Sequence, residues 1–122
     1  MKLYRFDPGV SRETAEYGSR GALVSRLLRT PGEASIHCLA LAPGGVLGWH
    51  PAVEDQLLLV VQGEGRVRGE PGDELPISAG QAAFWTAGEH HATRTDHGLT
   101  AIILEGQGLD PGEFMPEAPT LG

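Results

Sequence analysis

A chain of 122 residues suits one domain around a single hydrophobic core. Its 18 glycines and nine prolines exclude a helical bundle or long coiled coil, while a 40% hydrophobic content still supports a packed interior. Nine basic residues against sixteen acidic ones give a net charge of −7 with no basic run, which sets aside nucleic acid and anionic membrane surfaces as partners.

Residues 1–21 read as a lead-in segment, in which Ser11 caps a helical turn through Arg12, Glu13, Thr14, Ala15 and Glu16 that Gly18 ends. From Ala22 onward short apolar runs alternate with glycine and proline turns. The pattern predicts strands over 22–29, 34–41, 46–50, 56–61, 66–68, 75–78, 81–86, 91–95 and 99–104. Residues 22–105 therefore form an all-β barrel or sandwich, and 106–122 an irregular tail that is either disordered or laid over the surface. In Leu57, Leu58, Leu59, Val60 and Val61 both strand faces are apolar. One face suits a barrel interior; the other needs cover from the N-terminal segment or from a twin subunit, which makes a homodimer an expectation.

Cys38 is the only cysteine, so no intrachain disulfide forms. With neither an export signal nor a membrane-length apolar run, a reduced, cytoplasmic setting is expected. Cys38 lies in an apolar run and is expected to be buried and inert, and His37 beside it to be a core or interface histidine.

Two stretches carry the chemistry: residues 44–63, GGVLGWHPAVEDQLLLVVQG, and residues 80–95, GQAAFWTAGEHHATRT. Together they resemble the two motifs of the cupin family. In the first, Gly44, His50 and Gly63 match, whereas Ala52 stands for a second histidine and Gln56 for a glutamate. In the second, Gly80, Gly88 and His91 match, whereas Thr86 replaces a proline and Thr95 an asparagine. The resemblance implies a double-stranded β-helix, a jelly-roll barrel. In cupins with the full set, three histidines and a glutamate hold Fe, Mn, Ni or Zn; here His50, Gln56 and His91 remain as ligands.

Alternation along a strand puts His50 on one face with Gly48 and Ala52, Gln56 with Leu58 and Val60, and His91 with Thr93 and Thr95. A barrel joining the two hairpins gathers His50, Gln56 and His91 around one point. Ala52, Leu58, Trp85 and Thr93 line that pocket. Two imidazoles and a neutral amide hold a divalent metal weakly or not at all, because the anionic ligand is missing. Glu54 and Asp55 either contribute a carboxylate from the barrel mouth or are solvated. His90 faces outward and His97 sits in a turn. Trp49 points away from His50, and Phe84 and Trp85 are expected in the core unless one of them lines the pocket.

Three functions follow. The first is a small-molecule-binding cupin, with or without a weakly held metal. The second is a metal-dependent enzyme of the dioxygenase or isomerase type; the third is a structural or regulatory homodimer with a vestigial site. The incomplete ligand set favours the first. No serine, cysteine or lysine stands in a nucleophile arrangement.

Overall fold

The computed structural model describes residues 1–119. Ten strands form β1 (Lys2–Arg5), β2 (Arg12–Thr14), β3 (Ala22–Val24), β4 (Ala34–Leu41), β5 (Val46–Pro51), β6 (Asp55–Arg68), β7 (Glu74–Ser78), β8 (Gln81–Trp85), β9 (His90–Arg94) and β10 (Leu99–Gly106). The only helical elements among the described residues are three 3₁₀ turns, and no helix is long and apolar enough to cross a membrane.

The first half of β6 belongs to a layer ordered β1-β8-β6-β10-β4. Its second half pairs with β7 and β9, and β9 pairs in turn with β5. The two runs expected at 56–61 and 66–68 are therefore one 14-residue strand that serves both layers. Gly63 makes the changeover at φ 83°, and a register shift opposite Thr100 and Ala101 leaves Val61 as an extra residue there.

The inner face of the barrel is packed with Leu58, Val60, Val67, Ile77, Trp85 and Ala101. On the outer face, Leu57, Leu59, Tyr4, Ala82 and Met115 form a second cluster against which Leu27, Leu28 and Phe6 pack. The outward leucines of β6 are thus covered by the chain's own segments, while Val61 stays half exposed.

Several expectations at the start of the chain are corrected. Residues 12–14 do not form a helical turn behind Ser11; they pair with β3, because a cross-strand ladder satisfies more backbone groups than a single turn. Lys2–Arg5 adds an edge strand to β8, and only Ala22–Val24 of the expected run 22–29 is extended strand. The described part of the tail lies on the barrel. The Arg5 amide donates to the Pro116 carbonyl and the Ala118 amide to that of Leu3, and the Arg26 guanidinium sits 3.9 Å over the Phe114 ring. Residues 120–122 of the expected tail lie outside the described residues.

Cys38 is exposed, contrary to the buried position expected for it, and His37 is exposed too, which sets aside the core alternative for that histidine. β4 is the last strand of its layer, so its side chains have a neighbour on one side only.

Candidate functional site at the barrel mouth

His50 and His91 are directly opposite one another in the β5-β9 ladder, with ring centroids 4.4 Å apart and planes tilted by 51°. β9 alternates as the sequence predicts: His91, Thr93 and Thr95 are buried, whereas His90 and Arg94 face outward. His50 is exposed at the mouth; His91 is 1% exposed and lies against the buried Trp85 ring, 4.6 Å between centroids.

The backbone fixes the protons on both rings. His50 Nδ1 lies 2.6 Å from the Gly48 carbonyl oxygen and His91 Nδ1 3.3 Å from that of Glu89. A carbonyl only accepts, so each neutral ring carries its proton on Nδ1 and keeps a lone pair on Nε2. His91 Nε2 is buried without a partner, as is Thr93 Oγ1. A buried acceptor left unpaired costs about 1–3 kcal/mol, which a bound group would recover.

Gln56 occupies the position opposite Trp85 on one side and Glu105 on the other. It is 5% exposed, and its Nε2 donates to Glu105 Oε1 at 2.9 Å. A carboxylate accepts only, so this bond orients the amide and leaves its oxygen as the free group. Glu105 was missed in the sequence because it lies in neither motif; only the β6-β10 register brings it beside Gln56.

The other pocket residues distribute as follows. Leu58 and Trp85 sit in the inner core, and Thr93 is buried on the His91 face. Ala52 is buried, but its backbone pairs with Glu89 and Gly88 in the adjoining loop. Asp55 brings no free carboxylate to the mouth: its two oxygens accept from the backbone amides of Ala87 and Leu109. Glu54 lines a separate surface cleft with Glu33, Ala34 and Ser35. Trp49 points away from His50 as expected; it is 42% exposed, stacked with the His90 ring and 4.1 Å from the Arg68 guanidinium.

Among the described residues no three His, Cys, Asp or Glu side chains gather as a metal cage. The groups with free acceptor atoms here are the two adjacent imidazoles and, on β6, the Gln56 amide, whose nitrogen is held by Glu105. Those types suit a borderline divalent ion, at reduced affinity.

Burial, with the His50 ring alongside, holds the His91 imidazole below its ordinary value of 6.5, against the opposing pull of the Glu89 carbonyl and the Glu89 and Glu105 carboxylates. The unfolded chain then binds a proton that the folded chain resists. This stability is complete above about pH 6.5 and is lost as pH falls toward the folded value. In chelated protein the urea midpoint is expected to be flat from pH 7 to 8 and to decline below 6.5, with a slope of at most about 1.4 kcal/mol per pH unit from this group. A His91→Gln variant should lose that part of the slope; an unchanged slope would assign it elsewhere.

The Cupin domain family model matches residues 38–108, more than half of the chain and both halves of this site. The chain belongs to the cupin family. Solved cupins share the barrel. A cupin superfamily protein from Desulfitobacterium hafniense aligns over 73% of this chain and 81% of its own, at 16% identity and a TM-score of 0.58. A Cupin 2 conserved barrel domain protein from Salinispora arenicola aligns over 70% and 82%, at 18% identity and a TM-score of 0.57. A protein described as a predicted oxalate decarboxylase from Thermotoga maritima aligns over 57% of this cupin and 62% of its own chain, at 26% identity and a TM-score of 0.53. No curated protein matches the sequence.

Proposed function

We propose that this cupin is a binding module that holds a small molecule at the barrel mouth together with a weakly bound divalent metal, on His50, His91 and the Gln56 oxygen. The observation that carries the reading is the buried, unpartnered Nε2 of His91, beside a second imidazole whose Nδ1 is likewise turned to a carbonyl. The groups left free, two imidazole nitrogens and an amide oxygen, are acceptors, so the complementary group is a cation or a hydrogen-bond donor. When bound, a divalent ion supplies open coordination positions and Lewis acidity. His50 and His91 hold such an ion, Gln56 orients toward it through Glu105, and the His91–Trp85 wall excludes water on the inner side.

The small molecule is a carboxylate in this proposal. An ion on two neutral imidazoles and a neutral amide keeps most of its charge, which favours an anionic co-ligand. The 26% identity to the predicted oxalate decarboxylase supports the same class and is the observation that favours the second reading, a metal-dependent enzyme. The buried polar atoms disfavour a vestigial pocket, which would be filled with apolar side chains. A cytoplasmic setting, supported by the single cysteine, and a homodimer complete the proposal.

Calorimetric titration of chelated protein with Mn, Fe, Ni and Zn tests the reading. The expected result is one saturable site with a dissociation constant no tighter than about 1 µM, strengthened by added oxalate or a similar small carboxylate. No saturable binding of any of the four ions, with or without the carboxylate, would overturn it.

A further inference from the structure

We propose that the outer face of the β5-β9-β6 sheet carries a second binding site, for a small aromatic carboxylate, on Trp49, Arg66 and Arg68. It lies on the opposite face of the sheet from the barrel mouth and stands without the metal.

The site begins with a break in the β5-β9 ladder. Leu47 is opposite Thr93 and His50 opposite His91, so Gly48 and Trp49 together face the single residue Ala92. Such a bulge re-aims a side chain. His50 stays at the mouth, while the Trp49 indole comes out on the face of His90, with which it stacks, and remains 42% exposed. Beside it opens a cavity of about 230 Å³, lined from β5 by Val46 and Trp49, from β9 by Ala92 and Arg94, and from β6 by Arg66 and Arg68.

Three of the nine basic side chains of a chain that carries −7 meet at this cavity. Arg66 is directly opposite Arg94 in the β6-β9 ladder and Arg68 is opposite Ala92, so all three share the outer face. Like charges opposite one another destabilise a sheet unless anions answer them. Arg94 is answered: its Nε and an Nη donate to Glu74 at 2.8–3.2 Å, and Asp96 lies 3.6 Å away. Those bonds, with the Arg66 and Arg68 charges adding to them, hold the Glu74 carboxyl below its ordinary value, so it stays ionised and committed to Arg94. Glu70, just beyond β6, is turned to His90. Arg66 and Arg68 form no ion pair among the described residues. The Arg68 guanidinium lies 4.1 Å over the Trp49 ring, and its Nε is buried with no acceptor. A buried donor left unpaired is costly, and an anion recovers that cost.

The ligand class follows from what is uncommitted. Two guanidinium forks donate to the two oxygens of a carboxylate. The exposed indole, with Val46 and the Ala92 methyl group, adds an apolar wall on which an aromatic ring packs better than an aliphatic one. The cavity is smaller than the ~300–1,000 Å³ of drug-sized sites, so it takes a single ring.

The test is an NMR titration of the full, isotope-labelled chain in chelator, at pH 7.5 and fixed ionic strength, with benzoate, cyclohexanecarboxylate and inorganic phosphate. Without an ion, no carboxylate is drawn to the mouth. Benzoate is expected to move the Trp49 indole and Arg68 Nε–H signals saturably, with a dissociation constant of about 1 mM or tighter. The other two probes should bind at least about fivefold more weakly. Arg66→Gln, Arg68→Gln and Trp49→Ala, each folded by circular dichroism, are expected to weaken benzoate about tenfold or more. Arg20→Gln makes the same change in net charge at an exposed position away from the cavity and should leave it unchanged. The proposal is overturned by the absence of saturable movement at Trp49 and Arg68, or by movement confined to the His50 and His91 rings. Wild-type affinity in folded Arg68→Gln and Trp49→Ala, an equal loss in Arg20→Gln, or equal affinity for either other probe overturns it as well.

Discussion

Replacing Gly63 with alanine is expected to destabilise the barrel by about 3 kcal/mol or more. Two costs combine. At φ 83° a side chain pays about 1–2 kcal/mol for the left-handed backbone. The added Cβ also falls well inside van der Waals contact of the Gly98 carbonyl oxygen, with that carbonyl's carbon and the Leu99 Cα at 3.1 Å, so backbone must move. Gly63 lies where β6 leaves one layer and joins the other, and its carbonyl accepts from Ala79, so movement there disturbs both layers. Gly88 separates the two costs. It has φ 85° but open space where a Cβ would stand, with no neighbouring atom within 4 Å, so Gly88→Ala is expected to cost only about 1–2 kcal/mol. Urea unfolding of both variants checks this, and equal losses would refute the crowding at Gly63.

The second large effect concerns the divalent ion proposed at the barrel mouth. With only two nitrogen ligands, removal of either ring is expected to weaken binding about 100-fold or more, beyond calorimetric detection. The two variants differ in stability. His50 is exposed, so His50→Ala should fold almost as well as wild type, whereas His91→Ala opens a cavity beside Trp85 and is expected to cost about 2 kcal/mol. Gln56→Glu provides the opposite case. It sets a carboxylate within hydrogen-bond reach of Glu105, so the chelated variant must share a proton between the two or bear their repulsion. An ion relieves that repulsion, and affinity is expected to rise about tenfold while the apo melting temperature falls. Calorimetry and thermal melts at pH 7.5 report both; an unchanged affinity in Gln56→Glu would place the amide outside the ion's reach.

The fold was legible because the rules behind it are local. Glycines at turns, alternation along strands and the spacing of Gly44, His50 and Gly63 against Gly80, Gly88 and His91 all concern neighbours in the chain, and the family match over residues 38–108 spans the same positions. Alternation likewise put His91, Thr93 and Thr95 on one face, where the structure has them.

What depended on which strand lies beside which was not legible. An apolar run such as that around Cys38 reads as core in any sequence, and only its place at the end of a layer exposes it. Glu105 stands 49 residues from Gln56 and meets it only through the β6-β10 register. The outward leucines of β6 were open between two kinds of cover until Leu27, Leu28 and Met115 packed on them. By itself, then, the sequence determined the turns, the strand faces and the family of this protein, since those follow from backbone geometry within a few residues. The tertiary structure decided which acid lies beside Gln56 and which edge is left bare, since both depend on pairing between strands distant in the chain.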